Sequence, residues 1–188
     1  MEHKEQKEGL SSSGLKVIDL IQVGIMAAIV FVATSIVHIP SFMGVVHLGD
    51  SMVFLAAVLL GRKKGAIASA IGMSLFDLLN GYILWAPFTF FIKGLMGYIA
   101  GYICYRKSYC EKNFINNLFG FTIAGIFMIV AYYLSGVVMA KFLVSKAATL
   151  NEAFFIAIKD IPGNISQVVA GIIIALPLSL ILKKTVKY

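Results

Sequence analysis

Six apolar runs separated by short polar or basic stretches restrict the possible folds more than any other feature of this chain. They fall at about Val17 to Val37, Ser51 to Leu60, Gly65 to Leu79, Pro87 to Tyr105, Asn117 to Leu143 and Pro162 to Leu182. Hydrophobic residues make up 60% of the chain and charged residues 13%, more apolar surface than a soluble domain of 188 residues can bury. We therefore predict an all-α integral membrane bundle of six transmembrane helices.

The positions of lysine and arginine predict how this bundle is oriented. If the chain crosses the membrane six times, twelve of the sixteen basic residues fall on one side: Lys4, Lys7, Lys16, Arg62, Lys63, Lys64, Arg106, Lys107, Lys112, Lys183, Lys184 and Lys187. Lys141, Lys146 and Lys159 fall on the other side. The positive-inside rule then places both termini in the cytoplasm. The second and third runs are short for full spans, and a re-entrant hairpin around "GRKKG" would leave this orientation unchanged.

The ends of the chain and its cysteines add little chemistry. Residues 1–16 are predicted to form a polar cytoplasmic tail, and residues 17–188 a single transmembrane domain, because the first apolar run is too long for a signal-peptide core. Cys104 and Cys110 lie beside a predicted cytoplasmic basic cluster, where a disulfide is not expected. The net charge of +7 does not indicate nucleic-acid binding, since the basic residues lie at the ends of apolar runs.

One lysine, Lys93, lies inside the otherwise apolar stretch "APFTFFIKGLMGYIAGYI". A charge at the centre of a bilayer costs about 2.5–3.5 kcal/mol on insertion scales, so it usually serves a function. Because Pro87 suits the first turn of a helix, Lys93 should lie about 10 Å below the outer end. It either contacts a ligand, extends outward to the membrane surface, or pairs structurally with Asp77 or Asp50.

Amide side chains open the last helix, in "KDIPGNISQVVAG". Asn164 and Gln167 are three residues apart and therefore lie on one helical face. Two amides in an apolar setting are suited to holding a polar heterocycle, because each offers a donor and an acceptor. The structural alternative is that Asn164 caps the helix and Gln167 bonds to a neighbouring helix.

Four polar or aromatic residues gather in the predicted outward corner before the fourth helix. Asp77, Asn80, Tyr82 and the only tryptophan, Trp85, lie within nine residues. A tryptophan at a membrane boundary is often an interfacial anchor. Here it adjoins a carboxylate and an amide, which also suits an aromatic wall for a flat ligand.

Two further features predict contacts inside the bundle. Gly94, Gly97 and Gly101 form a small-residue stripe along one helix, which lets a neighbouring helix approach closely. Tyr132 and Tyr133 interrupt the fifth run near its middle, and we expect one of them to face the interior, where a buried phenol needs a partner.

Enzymatic chemistry is not indicated by any motif. His47 and Asp50 have no third ligand at a matching spacing, so we predict no metal site and no cofactor. The chain has no GxxxxGK[ST], nucleophile elbow or HExxH, the motifs that would indicate hydrolysis of ATP or of a substrate. An intramembrane enzyme would need convergent reactive groups, and a stand-alone secondary carrier often shows an internal repeat with broken helices. We find neither pattern.

The order of motifs resembles a known family. "VHLGDSMVFLAAVLLG", "LFDLLNGYILWAPFTFFIKGLMGYIAGYI" and "IPGNISQVVAG" occur in this order in a chain with six apolar runs. Across about residues 17–184 it is similar to the substrate-binding S components of energy-coupling factor (ECF) transporters. The closest resemblance is to the branch for small pyrimidine or pyridine vitamins, such as hydroxymethylpyrimidine or pyridoxine.

This resemblance implies a multi-pass protein of a bacterial plasma membrane that is not itself an enzyme. It would capture a vitamin at the outer ends of helices four to six, beneath a lid formed by the first outward loop. A transmembrane coupling subunit and two ATPase subunits would then drive delivery. Such proteins dock through small residues on helix one, where this chain offers Gly24 and Ala28, followed by the larger Val32.

The residues that the resemblance and the sequence patterns together make candidates for substrate binding form one set. They are Lys93, Asn164, Gln167, Trp85, Asp77, Asn80, Tyr82, Tyr132 and His47. In this hypothesis the Lys93 ammonium donates hydrogen bonds to a hydroxyl or ring acceptor of the vitamin, while the two amides bind ring nitrogens.

Overall fold

The computed structural model describes residues 16–106, 113–144 and 149–185, with the backbone alone for residues 183–185. Residues 1–15 of the predicted tail 1–16, Cys110 and several of the predicted topology lysines (Lys107, Lys112, Lys146 and Lys187) lie outside these ranges. The elements in chain order are α1 (Val17–Ile36), β1 (His38–Pro40), β2 (Val45–His47), α2 (Gly49–Leu79), α3 (Ala86–Cys104), α4 (Phe114–Val138), α5 (Leu150–Ala157) and α6 (Ile161–Thr185). A π-helical turn, Met139–Leu143, extends α4, and a 3-10 turn, Ile158–Asp160, joins α5 to α6.

Four helical stretches in the described ranges are long and apolar enough to cross a membrane. They are Val17–Ile36, Ala86–Cys104, Phe114–Leu143 and Leu150–Leu182. The predicted all-α membrane class is therefore confirmed. Six crossings stay a prediction, because the second and third apolar runs form the single element α2, whose middle carries three consecutive basic residues.

Gly61 divides α2 into two arms, residues 49–60 and 62–79. Its backbone has φ 78° and ψ 177°, a conformation open to glycine and strained for other residues. Beyond it the chain turns back on itself, so that a Cβ added to Gly65 would lie 2.7 Å from the carbonyl oxygen of Ala56. The "GRKKG" segment is thus the turn of a helical hairpin, an arrangement that is compatible with two short spans and with a re-entrant hairpin.

The glycine stripe on α3 packs against the second arm of α2, as predicted. A Cβ added to Gly97 would lie 3.3 Å from the Cα of Ala66, and one added to Gly101 would lie 2.6 Å from the Cα of Arg62. The two backbones can approach this closely only because these positions lack side chains. Pro87 lies in the first turn of α3, which also matches the prediction.

The core lies between both arms of α2 and helices α3, α4 and α6. Phe54 and Phe121 stack at its centre with ring centroids 4.5 Å apart, and Met96 and Met128 are fully buried beside them. By contrast, α1 packs along one side only. Its opposite face, which includes the predicted partner-interface residues Gly24 and Ala28, is exposed.

The two ends of the bundle differ in charge. Lys64 forms an ion pair with Asp19 at 3.0 Å at one end, and the Arg62 guanidinium lies 5.7 Å from the ring centroid of Tyr102 close by. Arg106 is also at this end, where its Nε donates to Asn116. The β1–β2 hairpin, the α2–α3 corner and the α5–α6 junction all lie at the other end. The structure thus groups these basic residues apart from the three predicted outward segments.

Candidate functional site

A small cavity lies at the end of the bundle where the three predicted outward segments meet. The turn between β1 and β2 covers it, the α2–α3 corner and α4 form its walls, and the α5–α6 junction closes the remaining side. A water-sized sphere can place its centre in only about 40 Å³ of this space. The cavity in this conformation is therefore small, with room for a few waters.

The cover is a hairpin of residues 38–47, here named the lid hairpin. β1 and β2 pair antiparallel, with His38 opposite His47. Val46 of this hairpin sits directly on α6, since a Cβ added to Gly163 would lie 2.7 Å from its Cγ2 atom. A side chain at Gly163 would push the lid hairpin away from the bundle.

Asp160 and Trp85 hold the tip of the lid hairpin. The Asp160 carboxylate accepts hydrogen bonds from the Ser41 hydroxyl and from the backbone N–H groups of Phe42, at 3.0 Å, and Met43, at 3.2 Å. On the opposite side, the Trp85 indole N–H donates to the Met43 carbonyl at 2.7 Å. Opening the cavity through the hairpin tip requires all of these bonds to break or to exchange with water.

A buried ion pair joins Lys93 of α3 to Asp50 of α2. Both side chains are completely inaccessible to solvent. The Gln167 amide donates to the second carboxylate oxygen of Asp50 at 3.1 Å, and the Lys93 ammonium lies 5.1 Å from the ring centroid of Tyr132. Each charge thus has a partner, which a buried pair needs if it is not to be strongly destabilising.

Gln167 also connects this ion pair to the lid hairpin. Its side-chain oxygen accepts the backbone N–H of His47 at 3.1 Å, while its NH₂ group binds Asp50. His47 in turn accepts the backbone N–H of Gly49 on Nδ1 at 3.2 Å, which assigns its proton to Nε2. Burial, reinforced by the nearby charge of Lys93, lowers the pKa of His47 to about 3, so this histidine is neutral at physiological pH.

A second polar group lies on the cavity wall at Asp77. The Tyr132 hydroxyl donates to Thr89 Oγ1 at 3.1 Å, and the Thr89 hydroxyl interacts with the Asp77 carboxyl. Asp77 is only 4% exposed, and within the described part of the chain its Oδ2 atom has no hydrogen-bond partner. The structure thus leaves a buried acceptor unused on a residue that lines the cavity.

Comparison with known proteins agrees with this architecture. Residues 14–184, nearly the whole chain, match the family model described as the S component of the ECF-type riboflavin transporter. The chain belongs to this S-component family. A protein of Pyrococcus woesei, named only as an uncharacterized protein in a gap 3' region, is 35% identical over 150 residues, which cover 80% of this chain and 90% of that protein.

Family membership confirms several of the broader predictions. The protein is a multi-pass membrane S component of an ECF transporter, a transport protein of vitamin uptake. Its family is generally not enzymatic. The narrower expectation of a branch for hydroxymethylpyrimidine or pyridoxine is not what the family description names.

Seven of the nine candidate substrate-binding residues line the cavity of this S component. They are His47, Asp77, Tyr82, Trp85, Tyr132, Asn164 and Gln167. Trp85 is 9% exposed and forms part of the wall, so its contacts fit the aromatic-wall interpretation better than that of an interfacial anchor. Asn164 and Gln167 share the cavity-facing side of α6, as their spacing predicts.

The other two candidates lie elsewhere. Lys93 does not line the cavity and pairs with Asp50, which is one of the two structural partners that the sequence allowed. Asn80 is exposed beyond the end of α2, where its side chain donates to the Phe76 carbonyl at 3.0 Å. It therefore caps a helix end in this structure and does not contact the cavity.

Sequence reasoning missed two lining residues that shape the site. Thr89 precedes Lys93 by four residues and so shares its helical face, a signal that the pattern offered. Asp160 stands immediately before the opening of the last helix, but two of its three partners are backbone N–H groups more than a hundred residues earlier in the chain. Backbone groups leave no trace in side-chain patterns, so this contact had no sequence signal.

Proposed function

We propose that this S component binds a small heterocyclic vitamin in the cavity beneath the lid hairpin and presents it to an ECF module for import. The single observation that carries the proposal is the small cavity itself, with aromatic walls and unused polar groups. Such a combination, mostly apolar with a few placed polar atoms, is typical of small-molecule sites.

In this proposal Trp85 and Tyr82 flank the flat ring of the ligand. Asn164 and Asp77 supply polar contacts, because both line the cavity and neither takes part in the bridges that hold the lid hairpin. Gln167 has a different task, since both ends of its amide are already bound to Asp50 and His47. It keeps the lid hairpin in register with the helices.

Lys93 acts in this scheme as a support rather than as a ligand contact. Its ammonium neutralises Asp50, Asp50 holds Gln167, and Gln167 binds the backbone of His47 on the lid hairpin. The charge that seemed costly in the sequence thus lies at the base of the chain of contacts that orders the cavity cover.

Riboflavin is the first candidate ligand, because the matching family is described by that vitamin. Hydroxymethylpyrimidine and pyridoxine are the second candidates, which the small volume of the cavity favours, because a single ring needs less additional room than a three-ring flavin. Either ligand needs more room than this conformation provides, so binding must be accompanied by movement of the lid hairpin.

The proposed topology has six crossings with both termini in the cytoplasm. Both arms of α2 would then cross, with the "GRKKG" turn and Arg106 at the cytoplasmic face, in agreement with the positive-inside rule. The coupling subunit would dock on the exposed face of α1 at Gly24 and Ala28, and two ATPase subunits would supply the energy. The neighbouring lipid-facing surface would contact the membrane.

Calorimetric titration of the detergent-purified full chain with riboflavin, pyridoxine and hydroxymethylpyrimidine tests this function. We expect saturable binding of one of the three. Asn164→Ala should weaken that binding by about tenfold or more, because a buried polar contact is lost. Asn80→Ala, which changes an amide in the same region but outside the cavity, is the matched control.

Two results would contradict the proposal. Absence of binding for all three vitamins would remove the ligand assignment. Vitamin uptake by cells that make this chain without any ECF coupling and ATPase subunits would instead indicate a stand-alone carrier.

A further inference from the structure

Resting on the proposed function, we infer that Asp77 sets the class of ligand. The cavity takes an uncharged or cationic heterocycle that donates an N–H or O–H hydrogen bond to Asp77 Oδ2, and it excludes anionic forms such as phosphate esters and carboxylates.

The argument begins with the three carboxylates at this end of the bundle. Asp50 is bound by Lys93 and by the Gln167 amide. Asp160 accepts from one hydroxyl and two backbone N–H groups of the lid hairpin tip. Asp77 alone among these three retains a carboxylate oxygen that no described group binds. Because Asp77 also lines the cavity, a ligand there is in a position to supply the missing donor.

The neighbouring hydrogen bonds explain why only one of the two Asp77 oxygens has a donor. Tyr132 donates its hydroxyl proton to Thr89 Oγ1, so the Thr89 proton is free to serve the Asp77 carboxyl. This chain of hydrogen bonds ends at Asp77, where it provides a donor for one of the two carboxylate oxygens. A buried acceptor without a partner carries a desolvation penalty, which a ligand donor placed in the cavity would remove.

Charge restricts the ligand further. Among the described residues that line the cavity there is no lysine or arginine, while two of them, Asp77 and Asp160, are acidic. His47 is neutral, since its Nδ1 accepts a backbone N–H, and the Lys93 charge is already paired with Asp50. An anionic ligand would meet a carboxylate with no unpaired cation among the described lining residues, in a setting where water screens charge poorly.

The specificity of a donor contact is expected to be high. A site that offers a buried polar atom rejects ligands that lack its partner more strongly than an apolar pocket rejects a missing methylene group. Asp77 is therefore a specificity-determining residue that contacts the ligand.

The test compares matched ligands on the wild type and on two variants by calorimetry in detergent. The probes are riboflavin, pyridoxine and hydroxymethylpyrimidine, each paired with its phosphate ester. For the vitamin that binds, we expect the wild type to prefer the unphosphorylated form by about tenfold or more. Asp77→Asn should weaken binding of that vitamin by roughly 10- to 100-fold, the range for a hydrogen bond to a charged group. The same variant should reduce the ratio between the affinities for the vitamin and for its phosphate ester. Asn80→Ala should leave both values unchanged.

Thermal unfolding without ligand separates this role from a structural one. Because Asp77→Asn removes a buried carboxylate whose Oδ2 lacks a partner, the unliganded variant should unfold at the same or a higher temperature than the wild type while binding more weakly. A lower unfolding temperature together with unchanged affinity would show that Asp77 is structural and would overturn the inference.

The remaining outcomes separate this inference from the function on which it rests. If the wild type binds a vitamin but Asp77→Asn binds it equally well, the inference fails and the proposed function stands. Equal affinity of the wild type for the vitamin and its phosphate ester overturns the exclusion of anions. If the wild type binds none of the vitamins, the proposed function fails and the inference falls with it.

Discussion

Two lysine–aspartate pairs at opposite ends of the bundle have the same chemistry and different surroundings. Lys93 and Asp50 are fully buried, whereas the side chains of Lys64 and Asp19 are 28% and 26% exposed. Water and salt screen the exposed pair, which therefore contributes little to stability. The buried pair makes the protein little more stable than two apolar residues in its place would, but loss of one partner leaves the other as an uncompensated buried charge. Burial thus decides whether an ion pair is replaceable or obligatory.

The largest expected effect comes from breaking the buried pair on one side. Lys93→Met should lower the free energy of unfolding by about 3–5 kcal/mol, because Asp50 is left charged in an apolar interior. Thermal unfolding of the purified protein in detergent measures this loss.

Removing both charges is the matched control for that variant. Lys93→Met combined with Asp50→Asn should recover most of the stability, since no buried charge remains. A double variant as unstable as Lys93→Met alone would show that packing around the lysine stem, rather than charge, is responsible.

Gln167→Ala should produce the next largest effect, a loss of about 1–3 kcal/mol, because the His47 N–H and one Asp50 oxygen lose their partner. Hydrogen exchange at the His47 amide should increase in the same variant, which unfolding alone would not reveal. Asn164→Ala changes an amide on the same face of α6 without touching these bridges. If it destabilised the protein equally, the bridging role of Gln167 would be wrong.

Acidification should lower the free energy of unfolding because of His47, which lies in the lid hairpin. The folded state keeps this histidine neutral, with a pKa of about 3 against 6.5 for an ordinary histidine. The unfolded chain therefore takes up a proton below pH 6.5 that the folded chain does not. Stability from this group is complete above pH 6.5 and is lost as the pH falls toward 3.

Between pH 7 and pH 5.5 this loss amounts to about 1 kcal/mol, since each pKa unit corresponds to about 1.4 kcal/mol. Unfolding temperatures of the wild type and of His47→Gln across this range measure it. The difference between the two proteins should shrink as the pH falls. A constant difference would mean that His47 does not titrate as described.

The smallest effect is expected at the exposed pair. Lys64→Ala should change the free energy of unfolding by less than about 1 kcal/mol, and the change should fall further in high salt, because mobile ions screen surface charges. Unfolding in low and high salt measures both values. A salt-independent loss comparable to that of Lys93→Met would contradict the comparison of the two pairs.

Much of the fold followed from local sequence patterns. The apolar runs predicted the helices, the glycine stripe on α3 predicted a close neighbour, and the "GRKKG" segment allowed a turn that Gly61 provides. The helix α5 was not predicted. It lies within the outward stretch from Val144 to Ile161, and is amphipathic, with Ala153 and Ala157 buried on one side, over only two turns. Such a short pattern is hard to distinguish from a loop.

The sequence predicts which residues gather at the site, but not which of them contact each other. Clusters such as Asp77 to Trp85 indicated where polar and aromatic groups would gather, because neighbours in sequence stay neighbours in space. The sequence allows either Asp77 or Asp50 as the structural partner of Lys93. Only the tertiary arrangement of α2 and α3 selects Asp50. Contacts made by backbone groups, such as those of Asp160 with Phe42 and Met43, depend on the final course of the chain.

The location of Trp85 gives this protein a built-in optical reporter. It is the sole tryptophan of the chain, it borders the cavity, and its indole N–H binds the hairpin tip at Met43. Tryptophan fluorescence therefore reports on a single place in the molecule. Detachment of the tip should shift the emission wavelength, and a bound aromatic compound should quench it, so the rate of each event can be followed without any attached dye.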